Sequence, residues 1–176
     1  MRNLALDPRL RELARDVLGT GAVPFRATHF DKSRAANWLV VWHQDTALPL
    51  EGRHELPGWG PWSSKAGVVY AHAPAWALEG VVALRLSLTD STPTNGSLRV
   101  LPGSHRNGVL GDDEIARLVA AGEPHLAVVP AGSVLVMRPL LVHASSKSES
   151  GAPRRVLHIE YASDLRLSDG LRLAIA

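Results

Sequence analysis

The sequence predicts a mainly β protein, an antiparallel sandwich or barrel flanked by a few short helices. Many short stretches rich in β-branched and aromatic residues are separated by the turn signals "PTNG", "PGSH", "PAG" and "SGAP". Helical spacing is confined to two segments. In several of the short stretches apolar and polar residues alternate with period two, which places them on opposite faces of a strand. Such a pattern fits antiparallel sheets packed face to face.

Taken in order, residues 8–18 ("PRLRELARDVL") place Leu10, Leu13, Ala14, Val17 and Leu18 on one helical face, with Asp7 as N-cap before Pro8. Candidate strands follow at 37–48, 67–72, 81–89, 97–101, 126–129, 133–138, 140–143 and 154–162. The segment 49–67 between the first two is rich in Gly, Pro and Trp and reads as a long functional loop. In 81–90, Val82, Leu84, Leu86 and Leu88 form an apolar face. The opposite face, Ala83, Arg85, Ser87 and Thr89, is too polar for a dry core and fits the lining of a polar cavity. Residues 112–121 form a second helix, acidic in its first turn and followed by Gly122.

The 176 residues suggest one domain, 1–176. With no cysteine, disulfides, thiolate metal sites and Cys nucleophiles are excluded. The charged N-terminus lacks a signal-peptide core, and no window reaches the roughly 18 apolar residues of a membrane span. A cytoplasmic location is the expectation. A net charge of +2 with dispersed arginines gives no footprint for nucleic acid.

Within "WHQDT" (42–46), His43 and Asp45 stand two apart in what reads as a strand. Strict alternation puts them on one face with Leu39 and Val41, and puts Trp38, Val40, Trp42 and Gln44 on the other. An imidazole and a carboxylate together suit a divalent ion. Two His and one carboxylate on one octahedral face form the triad of non-haem Fe(II) oxygenases. The second His is best supplied by His143 in "MRPLLVHASSKS". Eleven positions beyond it stands Arg154, whose planar fork suits a carboxylate. Alternation in "RRVLHIEY" puts Arg154, Val156, His158 and Glu160 on one face, and Arg155, Leu157, Ile159 and Tyr161 on the other.

The segments "DKSRAANWLVVWHQDT", "LRLSLTDSTPTNGSLRVLPGSHRNG", "PAGSVLVMRPLLVHASSKS" and "PRRVLHIEYA" resemble the phytanoyl-CoA dioxygenase family. They span about residues 30–162. The shared pattern is H-x-D, a distant His and an Arg eleven residues after it. The resemblance implies a double-stranded β-helix (jelly roll) core, Fe(II) on His43, Asp45 and His143, and 2-oxoglutarate as co-substrate. It implies that Arg154 and Ser145 hold the remote carboxylate of 2-oxoglutarate, which is converted to succinate and CO2 as a small molecule is hydroxylated. Lys32 and Arg85 are further candidates for co-substrate or substrate; at Arg85 other members can carry an aromatic residue. Gln44, Trp59, Trp62 and His158 are candidates for substrate contact. The histidines at 29, 54, 72, 105 and 125 read as non-ligands, and Asn95–Gly96 as a turn that tolerates positive φ. Only about 42 residues precede His43, fewer than is usual in the family, so the expectation is either a less enclosed core or a pocket completed by the second subunit of a homodimer. Rival readings are a same-fold halogenase, a jelly-roll that senses a small molecule without catalysis, and a metalloenzyme not using 2-oxoglutarate. Asp45 argues against the first and Arg154 against the last.

Overall fold

Asp7 caps the first long helix as its position implies. The structure is a computed structural model that describes residues 2–19, 21–167 and 170–176. It opens with α1 (Arg2–Ala5) and α2 (Pro8–Leu18). The Asp7 carboxylate accepts from the backbone N–H of Arg9 at 2.9 Å, and Pro8 sits in the first turn, where no amide donor is needed. Leu10 and Ala14 are the buried stripe of α2.

The chain then runs through β1 (Val23–Lys32), β2 (Val40–His43), β3 (Ala47–Leu50), β4 (Trp62–Lys65), β5 (Val68–His72), α3 (Ala75–Glu79), β6 (Val81–Ser87) and β7 (Leu98–Val100). A 3-10 turn (Ser104–Asn107) leads to α4 (Asp112–Ala121), β8 (His125–Leu126), β9 (Val134–Met137), β10 (His143–Ser145) and β11 (Arg154–Ala162). Two four-stranded antiparallel sheets, ordered β1-β11-β6-β9 and β2-β10-β7-β8, make the jelly roll. A three-stranded sheet, β3-β5-β4, extends it. Among the described residues no helix is long and apolar enough to cross a membrane.

Each sheet buries one face under a helix and leaves the other for the cavity. Val82 and Leu84 of β6, with Leu157, Ile159 and Tyr161 of β11, pack against Ala5, Leu10 and Ala14. The Tyr161 hydroxyl donates to the Ala5 carbonyl at 3.0 Å. Behind the second sheet, Leu101 and Val142 pack on Ile115 of α4, with Trp42 half-buried beside them. A third cluster holds Phe25, Leu48, Leu50, Trp59 and Leu78 under the added sheet. The alternation expected for 81–89 holds through Leu86, but the strand stops at Ser87 and Leu88 is 43% exposed.

Several expectations are corrected. The stretch 37–48 is two strands, because the chain leaves the second sheet after His43 and enters the added one at Ala47. Segment 49–67 is not a free loop: Trp62–Lys65 pairs with β5. The strand expected at 140–143 instead begins at His143. β1 was not expected at all. Within β2, Ser145 pairs with Val40 while His143 pairs with His43, so β2 carries one extra residue. That bulge breaks strict alternation. Trp38, Val40 and His43 line the cavity together, whereas Leu39 and Val41 are 55% and 68% exposed.

The two faces of β6 yield a direct contrast. Leu84→Ala is expected to cost about 2–5 kcal/mol, because it opens a cavity beneath α2. Leu88→Ala, at an exposed position, should cost no more than about 0.5 kcal/mol. Urea unfolding of both variants measures the difference; equal losses would contradict the assignment of the packed face.

Candidate metal centre

His43 ends β2, His143 starts β10, and the two are direct cross-strand partners. Their rings lie 4.2 Å apart, centroid to centroid. Each ring turns its Nδ1 to a carbonyl two residues back in the chain. His43 Nδ1 lies 2.9 Å from the Val41 oxygen, and His143 Nδ1 lies 2.8 Å from the Leu141 oxygen. A carbonyl can only accept, so Nδ1 carries the proton in both rings and Nε2 keeps its lone pair. Both Nε2 atoms face Asp45, at 3.5 Å from Oδ1 and 3.6 Å from Oδ2 respectively. Asp45 is placed by its own N–H, which donates to the Pro139 carbonyl at 2.9 Å.

One ligand atom from each of His43, Asp45 and His143 lies within 4.8 Å of the others. Two ligands about 2.1 Å from one ion at right angles stand about 3 Å apart. The donor set therefore fits a divalent metal with little adjustment. Burial would raise the Asp45 carboxyl, but the surrounding imidazoles, His43 first, hold it far below the usual carboxylate range. Ser104 braces the region: its hydroxyl donates to the Leu101 carbonyl at 2.7 Å and accepts from the Val142 N–H at 2.8 Å.

The cavity beside the triad measures about 300 Å³. Its far wall is cationic. Lys32 is fully buried; its ammonium donates to Ser145 Oγ at 2.7 Å and to the Ser146 carbonyl at 2.6 Å. Ser145 Oγ donates onward to the Gly96 carbonyl at 2.8 Å. Arg154 approaches Ser145 Oγ at 3.4 Å, and its buried Nε has no partner among the described residues. Arg85 gives one N–H to His158 Nδ1 at 3.0 Å and stacks over Phe30. Among the described residues no carboxylate lies within 4.0 Å of Lys32, Arg85 or Arg154. Burial, then the charge of Arg154, lowers Lys32 to about 8 and Arg85 to about 10. An incoming carboxylate would relieve all three cations.

Arg26 and Glu160 form the remaining charged pair. Arg26 Nε donates to Oε2, and a second N–H donates to Oε1 at 2.7 Å. Burial raises the Glu160 carboxyl and Arg26 opposes the rise. His158 is pushed down to about 3 by burial and then by Arg85, so its ring is neutral.

The expected residues divide clearly. His43, Asp45, His143, Ser145, Arg85, Arg154 and His158 line one cavity, with Lys32 directly behind Ser145. Three others belong elsewhere. The Gln44 amide donates to the Gly108 and Leu140 carbonyls and accepts from the Leu110 N–H, which ties down a loop. Trp59 is buried in the core under the added sheet, against Trp76, and Trp62 packs on the same cluster. Neither Trp lines the cavity, because the segment carrying them folds into that sheet. Sequence reasoning missed Arg26, Thr28, Phe30 and Lys65 on the walls. Period-two spacing of Arg26, Thr28, Phe30 and Lys32 was the available signal.

A model of the family described as Phytanoyl-CoA dioxygenase (PhyH) matches residues 1–156. The L-proline trans-4-hydroxylase of Streptomyces griseoviridis is 28% identical over 138 residues, covering 64% of this chain and 51% of that protein. The crystal structure of AviO1 from Streptomyces viridochromogenes Tue57 superposes with a TM-score of 0.67 at 29% identity, over 96% of this chain and 62% of AviO1. HygX from Streptomyces hygroscopicus, solved with nickel and 2-oxoglutarate bound, shares the fold with a TM-score of 0.61 at 21% identity, over 92% of this chain and 64% of HygX. The chain thus spans about half the length of the hydroxylase.

Gly96 exposes how tightly the cationic wall is packed. Its φ is +76°, and a Cβ there would meet the Ser146 carbonyl at 2.7 Å and Lys32 Cδ at 2.9 Å. Gly132 has a similar φ of +84° with nothing within 4 Å. Gly132→Ala should lose only the left-handed strain of about 1–2 kcal/mol. Gly96→Ala should lose about 1–3 kcal/mol more, from overpacking. Urea unfolding of the pair checks this, and matched losses would show that Lys32 is not fixed against Gly96.

Proposed function

The chain belongs to the phytanoyl-CoA dioxygenase family, and on that footing we propose that it is an Fe(II)- and 2-oxoglutarate-dependent oxygenase that hydroxylates a small molecule. The observation that carries this reading is one of placement. Two Nε2 lone pairs and a carboxylate converge on one side of a cavity whose other side holds three buried cations that, among the described residues, have no carboxylate partner.

His43, Asp45 and His143 would hold the iron, and Arg154, Ser145 and Lys32 the remote carboxylate of 2-oxoglutarate. Once bound, iron and 2-oxoglutarate would together supply the oxidising power, with O2 consumed, succinate and CO2 released and one oxygen atom delivered to the substrate. Every other contribution belongs to the chain. The Val41 and Leu141 carbonyls keep both imidazoles in the tautomer that can ligate. Asp45 would supply negative charge and the carboxylate member of the donor set. Arg154 offers a fork, Ser145 a hydroxyl and Lys32 a compact charge, so the dicarboxylate is oriented end to end. Phe30, Val40 and Leu98 line the same cavity with apolar surface and limit its water.

The metal assignment is tested by substitution. His43→Ala and His143→Ala should each lose stoichiometric Fe(II), together with the visible charge-transfer band formed when 2-oxoglutarate is added without oxygen. Asp45→Ala should bind iron more weakly and lose substrate-dependent succinate formation. Wild-type iron content and spectra in these variants would refute the triad.

The co-substrate assignment is tested by two adjacent arginines. Arg154 is buried on the cavity wall, whereas Arg155 is exposed and donates to Asp31 at 3.2 Å. Arg154→Ala should weaken 2-oxoglutarate binding roughly 30- to 1000-fold, for a lost charge-assisted contact of about 2–4 kcal/mol. Arg154→Lys should recover part of it, because an ammonium cannot form the fork. Arg155→Ala should leave affinity within about twofold. Titration of 2-oxoglutarate against the charge-transfer band measures all three, and a large shift at Arg155 instead would overturn the assignment.

A further inference from the structure

Beside the groups assigned to iron and to the remote carboxylate of 2-oxoglutarate stands a wall of Arg26, Glu160, His158 and Arg85, whose groups are mutually oriented. The Arg85 guanidinium has only donors, and one of them meets His158 Nδ1 at 3.0 Å. His158 Nδ1 must therefore accept, and the ring proton sits on Nε2. That N–H lies 4.0 Å from Glu160 Oε2, beyond hydrogen-bond reach. Glu160 is itself held by two N–H groups of Arg26, which leaves lone pairs of its carboxylate unused. Both His158 and Glu160 are at most 4% exposed, and both line the metal cavity.

We propose that His158 and Glu160 form a subsite for one hydroxyl group of the substrate, which accepts from His158 Nε2–H and donates to Glu160. The span fits a single atom. One oxygen making two bonds of about 2.8 Å, at an angle near 90–110°, bridges atoms about 4.0–4.6 Å apart. The chemistry disfavours charged and apolar groups. A carboxylate would face Glu160 with like charge, and an ammonium has no lone pair for the His158 donor. A purely apolar group would leave both buried polar atoms unpaired, and that is the kind of site that discriminates strongly by hydrogen bonding. The substrate is therefore an alcohol, bound through a hydroxyl other than the one the reaction installs. This inference rests on the oxygenase reading, since it takes the cavity as the substrate site.

The test uses the full chain loaded with diamagnetic Zn(II) and 2-oxoglutarate, with co-substrate binding verified first by calorimetry. Probes are alcohols paired with their deoxy analogues: L-threonine with L-2-aminobutyrate, L-serine with L-alanine, and methyl glucoside with each monodeoxy form. Ligand-observed NMR measures binding, and spectra of 15N-histidine-labelled protein follow the His158 ring. At least one alcohol should bind about tenfold or more tightly than its deoxy partner. Its addition should shift the His158 Nε2 resonance. His158→Phe should abolish the preference, and His158→Gln, which keeps an N–H donor, should restore part of it. The wild-type resonance decides the matter even if a variant does not fold. Alcohols that bind without a deoxy preference, a preference that survives His158→Phe, an unmoved Nε2 resonance, or a panel with no binding alcohol would each overturn the subsite. Failure of 2-oxoglutarate itself to bind would overturn the oxygenase reading instead.

Discussion

Two short-range hydrogen bonds from imidazole to backbone govern the centre of this molecule. Each metal-facing imidazole is bonded through Nδ1 to a carbonyl two residues earlier, Val41 for His43 and Leu141 for His143. An imidazole left to itself exchanges between tautomers and turns about its χ angles. Here the backbone removes both freedoms before any ligand arrives. The rest of the site follows from that constraint. His43 and His143 must be paired across neighbouring strands, Asp45 must leave the strand to reach between them, and the turn carrying Ser104 must hold Val142 in line.

The charges in the cavity divide into two economies. Beside the added sheet, Arg26 and Glu160 neutralise each other and create direction without net charge. Elsewhere on the walls, Lys32, Arg85 and Arg154 accumulate positive charge that no described carboxylate meets. The first arrangement offers hydrogen-bond geometry and the second offers charge. Burial makes both sharper, because water cannot substitute for a missing partner.

The sequence was readable where one face of a strand was apolar and the other met the cavity. In β11, Leu157, Ile159 and Tyr161 alternate with Arg154, His158 and Glu160, and the structure sorts them accordingly. β1 was not readable for the converse reason. Its cavity face, Arg26, Thr28, Phe30 and Lys32, is as polar as a solvent face, and His29 and Asp31 lie on the other. Polarity normally marks exposure, but in a cavity wall it marks the interior. The bulge in β2 was hidden as well, since one extra residue leaves no compositional trace. Gln44 illustrates a further limit: next to a metal ligand in sequence, it points into a loop and satisfies backbone groups there.

His143 and Ser145 occupy alternate positions of β10, one facing Asp45 and the other touching Lys32 and Arg154. Two residues of extended chain measure about 6.5–7 Å whatever surrounds them. The spacing between the His143 imidazole and the Ser145 hydroxyl is thus an inextensible covalent gauge. Swapping core side chains around the cavity would alter its walls, but not the separation between the triad and the cationic cluster at Ser145.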